Sequence, residues 1–250
     1  MKTPTPPCKK AFTLLETVIA IGVLAVLLTG FIVVFAPAAA GIKKAINVQE
    51  ADRLTSALEQ ELVTSRGSDL TPGFNKAFDW LKNNNTSADN AILVYQYSGD
   101  PNNTRSDGTP TPLADISSKL PGKDYLLRPM ARRENDPLFL KDLPAIQGGV
   151  YLVKCTQLVF DSSGKLTAGA DGQIKNPKPN GQSDPNYSAG PFTNADDYPE
   201  AVIAFTADFY ALPARSPGFF SGTGFQKFLS DKVKSGKSKP IFSRNLAVRR

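Results

Sequence analysis

The apolar and polar positions of the chain fall into two regimes. From Thr17 to Ile42 no side chain is ionisable, and Val, Ile, Leu, Phe and Ala dominate. At ~1.5 Å per residue that is enough helix to cross a hydrocarbon core ~30 Å thick. Farther on, Ile42, Ala45, Ile46, Ala51, Leu54, Leu58 and Leu62 recur at helical spacing, while Lys43, Lys44, Glu50, Asp52, Arg53, Glu59 and Glu61 take other positions. The two regimes predict one helix of roughly 50 residues with an amphipathic second half. Pro37 removes one backbone hydrogen bond, at ~3 kcal/mol in a straight interior, so it predicts a kink rather than a stop. Gly22, Gly30 and Gly41 make the same half bendable.

After the breakers Gly67, Pro72 and Gly73, the spacing of Phe74, Phe78 and Leu81 predicts a short helix with Trp80 nearby. Strands are predicted at Ala91–Tyr97 and Val150–Phe160, the latter turning through Asp161-Ser162-Ser163-Gly164 into Lys165-Leu166-Thr167. Ala201–Leu212 is the clearest strand, with Ile203, Phe205, Ala207 and Phe209 alternating against Val202, Ala204, Thr206 and Asp208. Phe225, Phe228, Leu229 and Val233 suggest a short helix, and Pro240–Val248 a closing strand. Between these, 98–149 reads as a polar stretch with local structure only at Leu113–Leu120 and Tyr125–Leu127, and 168–199 as an exposed loop. A long helix against an antiparallel sheet of about four strands is an α+β roll.

One charge interrupts the apolar run. Glu16 lies inside it, and a lone carboxylate near the bilayer interior costs roughly 2.5–3.5 kcal/mol, so an acid there reads as functional unless it reaches the headgroups. It stands in Lys9-Lys10-Ala11-Phe12-Thr13-Leu14-Leu15-Glu16, directly before the apolar helix. Two lysines, a small residue, Phe-Thr-Leu-Leu-Glu and an unbroken apolar run resemble the type III signal of type IV prepilins and type II secretion pseudopilins. The resemblance covers about 30 residues. Ala11 stands where the family usually has Gly.

The resemblance implies a membrane-embedded prepilin peptidase that cuts between Ala11 and Phe12 and methylates the new amino terminus on Phe12. It implies that Glu16 pairs with the Phe12 ammonium of an adjacent subunit, which would offset much of the cost of burying either charge alone and set the helices in register. It further implies a pilin-like roll, a structural subunit rather than an enzyme, and no cofactor. The implied partners are other pilin or pseudopilin subunits, an inner-membrane assembly platform and the lipid bilayer. The organisation that follows is a cytoplasmic leader (1–11), a transmembrane helical half (12–36), an amphipathic half (37–64) and an extracytoplasmic globular domain (65–250). The protein would sit in a bacterial inner membrane by a single pass, with that domain periplasmic or extracellular, or in a surface filament. Without the leader the 250 residues become 239, large for a major subunit, which favours a minor pilin or pseudopilin.

Composition narrows the chemistry. The net charge of +6 includes Lys2, Lys9 and Lys10 of the leader, so the rest carries +3, a weak bias that does not argue for nucleic acid. The leader lysines suit a cytoplasmic flank. There is no His, which removes the commonest general base and metal ligand. Neither a G-x-S-x-G elbow nor a phosphate-binding glycine loop is present. Cys8 lies in the leader, and Cys155, mid-strand, reads as a small buried filler. Asp184, Asp196 and Asp197 are weak candidates for a calcium loop, because hard cations take several oxygens, but they lack the D-x-[DN]-x-[DN]-G regularity. Arg244, Arg249 and Arg250, with the Lys232–Lys239 cluster, read as solvated edge charges. The competing reading of the N-terminus is a Sec signal peptide cleaved near Ala40, at Ala36-Pro37-Ala38-Ala39-Ala40, releasing a soluble binding protein or enzyme; its apolar region is longer than the usual ~7–15 residues.

Overall fold

The computed structural model describes residues 13–64, 73–84, 86–113, 125–178 and 187–250. The predicted cleavage pair Ala11 and Phe12, the weak candidate Asp184 and most of the local structure expected at 113–120 lie outside the described residues. The chain divides between Ile46 and Asn47.

Helix α1 runs from Leu14 to Val63, 50 residues, and is unbroken across Pro37. In its first part every residue from Leu14 to Ile46 is exposed, and the most apolar window has a mean hydropathy of 3.0. The hydroxyls in this stretch are answered inside the helix: Thr17 Oγ1 donates to the Leu14 carbonyl and Thr29 Oγ1 to the Ala25 carbonyl, both at 2.8 Å. Such back-bonding removes the cost of carrying a free hydroxyl into hydrocarbon. Phe31 and Phe35, one turn apart, stack at 3.9 Å.

From Asn47 onward the helix buries a face. Ala51, Leu54, Leu58 and Leu62, the later part of the predicted stripe, are buried, whereas its first members, Ile42, Ala45 and Ile46, are exposed. They share one apolar layer with Phe74, Phe78 and Leu81 of α2 (Gly73–Asn83) and with the sheet residues Val153, Ile203, Phe205 and Phe209. The sheet has seven strands: β1 (Ile92–Thr104), β2 (Pro110–Pro112), β3 (Leu126–Arg133), β4 (Ile146–Phe160), β5 (Leu166–Ala168), β6 (Val202–Ala211) and β7 (Phe242–Arg249). They lie in the order β2-β1-β4-β6-β7, with β3 also on β1 and β5 on β4, and all pairings are antiparallel. The opposite face, through Leu93, Leu152 and Tyr210, meets α3 (Pro137–Asp142), α4 (Pro217–Ser221), α5 (Thr223–Phe228) and the π-helical turn Leu229–Lys234 by way of Phe139, Phe220, Phe225, Leu229 and Val233. A layer of helices on each face of an antiparallel sheet is the expected α+β class.

The strand count corrects the expectation of about four, and the added strands lie largely in the stretch read as loop. β1 continues through Gly99-Asp100-Pro101 to pair with β2, whose three residues begin and end with proline. Prolines are confined to sheet borders, so they marked as loop what is border strand. β3 hides its period because Arg132 is buried in ion pairs rather than exposed. The reading of 168–199 as an exposed loop is also corrected. Ile174, Phe192 and Tyr198 are buried in the helix-side layer, and the Phe192 and Tyr198 rings meet edge-on at 5.7 Å. These residues lie too far apart in sequence to form a period, so the loop's anchors were invisible among its polar residues.

Glu50 ties the amphipathic part of α1 to the sheet. Its carboxylate accepts from the Tyr151 hydroxyl at 2.6 Å, the Gly149 amide at 3.2 Å and the Gln96 side-chain amide at 3.4 Å. Burial, together with the carboxylate, pushes the Tyr151 hydroxyl pKa upward, so that group stays a donor. Gly148 sits beside it at φ +76, and a Cβ there would run into the Glu50 carboxylate. Glu50→Ala leaves three donors without their acceptor and should lower unfolding stability by about 1–3 kcal/mol in chemical denaturation, whereas a change near zero would show the contacts to be incidental.

Candidate functional site

The described chain begins at the head of α1, where Thr13 and Glu16 form a reciprocal pair. The Thr13 amide and the Thr13 hydroxyl each donate to Glu16 Oε2 at 3.0 Å, and the Glu16 amide donates to Thr13 Oγ1 at 3.2 Å. This is a capping box: the first turn of a helix has amides with no carbonyl to bond, and a Thr and a Glu three apart satisfy two of them. A carboxylate at that end also meets the positive pole of the helix dipole. Thr13 was not singled out from the sequence, although the T-x-x-E spacing ahead of an apolar run is its signal.

The geometry gives Glu16 two faces. Oε2 is held by Thr13, while Oε1 makes no hydrogen bond among the described residues, and the side chain is exposed. The cap fixes where the carboxylate points. Behind it runs the all-exposed apolar stretch to Ile42. A family model described as the prokaryotic N-terminal methylation motif matches residues 7–32.

The chain carries a prepilin-type signal. It is the signal of type IV pilins and pseudopilins, and it spans Lys9, Lys10, Ala11, Phe12, Glu16 and the apolar run as far as Ile32. No curated protein and no solved structure matches the chain. The prepilin signal and the α+β fold with a long N-terminal helix support a pilin-like or pseudopilin-like subunit.

The remaining candidates do not gather into a site. Asp196 and Asp197 are exposed, and Asp197 accepts from the Asn194 side-chain amide at 3.3 Å. No group of three His, Cys, Asp or Glu side chains placed to hold a metal ion occurs among the described residues. Cys155 is buried, and that burial pushes its thiol pKa upward, which keeps it protonated and unreactive. A cavity of about 330 Å³ is lined by Asn84, Thr86, Lys154, Asp171, Val233 and Lys234, with Lys154 and Asp171 paired at 2.6 Å; its lining sets no nucleophile beside a base.

The densest charge cluster is structural. Asp142, fully buried at the end of α3, accepts from the Tyr95 hydroxyl at 2.6 Å and from Arg132 Nε at 3.3 Å, and pairs with Arg105. Arg132 also pairs with Asp107 and Asp136, each at 2.8 Å. Asp136 in turn caps α3, its Oδ1 accepting from the Leu138 amide at 2.9 Å. The network ties β1, the β1–β2 turn, β3 and α3 together. Burial pushes the Tyr95 hydroxyl pKa well up, so it remains a donor.

Proposed function

We propose that this chain is a structural subunit of a type IV pilus or a type II secretion-type filament, a minor pilin or pseudopilin, matured by prepilin peptidase and assembled through its N-terminal helix. The single observation that carries the reading is the prepilin-type signal at residues 7–32. Cleavage between Ala11 and Phe12 frees the Phe12 amine, which the same enzyme methylates. Residues 12–36 span the bacterial inner membrane, 37–64 form the amphipathic half of the helix, and 65–250 form the domain on the far side. The subunit is released from the membrane into the filament by lateral association of apolar helices. Glu16 supplies the charge that answers the Phe12 ammonium of a neighbour. In low dielectric the pair is worth forming only when both partners are present, so it favours one register between helices.

The fold is compatible with this reading on a second count. Pro37 and the neighbouring Ala36-Pro37-Ala38-Ala39-Ala40 stretch lie within the continuous α1. A Sec-type cut near Ala40 would remove the first half of that helix. N-terminal sequencing and intact mass of the mature protein decide the matter. A methylated Phe12 is expected, and a chain starting near Gly41 would overturn the proposal.

A further inference from the structure

Among the described residues, one border of the sheet is open. β7 ends the strand order, and no strand pairs with its far side among the described residues. Arg250 donates its amide to the Ala201 carbonyl at 2.8 Å, in a ladder that sets Arg249 opposite Val202 and Phe242 opposite Phe209; Ile241, just before the strand, also donates to the Phe209 carbonyl at 2.8 Å, outside that alternation. Backbone groups alternate along an antiparallel strand, so Phe242, Arg244, Leu246 and Val248 bond inward to β6. Ser243, Asn245, Ala247 and Arg249 then turn their N–H and C=O groups outward, and all four are exposed.

Natural edges are blunted by proline, bulges or charge. The other end of this sheet is blunted so: β2 is three residues with a proline at each end, and Pro129 interrupts β3. The run Asn245-Leu246-Ala247-Val248 has no such device. The one charge inside β7 before Arg249 is Arg244, and it is turned to α1, 2.9 Å from Asp52. Leu246 and Val248 are anchored in the core, which keeps the strand flat against β6.

Charges flank β7 in sequence instead of interrupting it. Lys237 and Lys239 precede β7, Arg249 closes it, and Lys232 lies just upstream; all are exposed and none makes an ion pair among the described residues. We propose that β7 is a docking edge for an extended acidic peptide segment of a partner protein, which adds as an eighth strand to the seven. The outward amides and carbonyls of Ser243, Asn245, Ala247 and Arg249 hold its backbone. Lys237, Lys239 and Arg249 select its acidic side chains and speed its encounter.

The test uses the full chain in detergent micelles and a fluorescent peptide of alternating Val and Glu, matched to β7 in length. Three controls accompany it: a Val/Lys counterpart, a Val/Glu peptide N-methylated on one backbone edge, and vesicles of anionic lipid. The Val/Glu peptide should bind, should protect the Ser243, Asn245, Ala247 and Arg249 amides from exchange, and should weaken by about tenfold or more on N-methylation or reversal of charge. Ala247→Pro, which removes an outward amide and leaves the inward ladder intact, should do the same. Because the N-methylated peptide leaves the protein untouched, a folding defect in that variant does not blunt the test. Equal binding of the N-methylated peptide would reduce the effect to charge alone and overturn the proposal. So would absence of peptide binding, or vesicle binding without it that is lost in Lys237→Glu/Lys239→Glu.

Discussion

Glu16→Gln is expected to be processed and inserted like the wild type and yet to leave no subunit in sheared filaments, read by immunoblot against the membrane pool. Glutamine keeps a side-chain oxygen able to accept from Thr13, so the capping box survives. What it removes is the negative charge, and with it the proposed partner for a neighbour's Phe12 ammonium. Glu16→Val removes charge and cap together. Comparing the two separates intramolecular from intermolecular work: a Gln variant that assembles normally would confine Glu16 to capping its own helix, a contribution of about 1 kcal/mol.

The second large effect concerns the buried ionic cluster. Asp142→Ala should lower the unfolding free energy by about 3–5 kcal/mol, since it leaves the Arg105 and Arg132 guanidiniums and the Tyr95 hydroxyl facing an apolar void. Chemical denaturation of the full chain in detergent measures it, and a loss under about 1 kcal/mol would mean that water reaches and satisfies these groups. Acid probes the same cluster through Asp107. Burial works to raise its pKa, but hydrogen bonds from Thr109 and Arg132 outweigh this and hold it at about 2. An unfolded aspartate titrates at about 3.9, so the stabilisation is complete above that value and disappears as pH falls toward the folded one. The β1–β2 turn should therefore stay docked at mildly acidic pH and loosen only on further acidification. Asp107→Asn should weaken it at neutral pH.

What could be read in advance follows from where periodicity survives burial. α1 was legible because two patterns, a charge-free run and an i, i+3, i+4 stripe, meet without a gap. β6 was legible because Ile203, Phe205, Ala207 and Phe209 are each fully buried against one layer, and the alternate residues are not. β3 and the far half of β1 were not, because two forces outside the hydrophobic pattern hold them: a border position that admits Pro101 and Pro129, and an ion-pair network that buries Arg132. α3 was missed for a related reason. It is six residues long, too short for a helical period, and is announced only by Asp136 at its cap and Pro137 after it. At the head of the chain the sequence disclosed the acid but not its intramolecular partner. The T-x-x-E spacing that marks Thr13 is short and sits inside a stronger signal, a charge in an apolar run.

The inert thiol in the sheet has a practical corollary. Under the proposed cleavage after Ala11, Cys8 leaves with the leader, and with Cys155 buried the remaining chain offers no native thiol to maleimides under folded conditions. Single cysteines can be written onto its surface, one position at a time, without first engineering a thiol away. Residues such as Ser243 and Asn245 would then report by footprinting or cross-link which neighbour each subunit touches inside a living cell envelope.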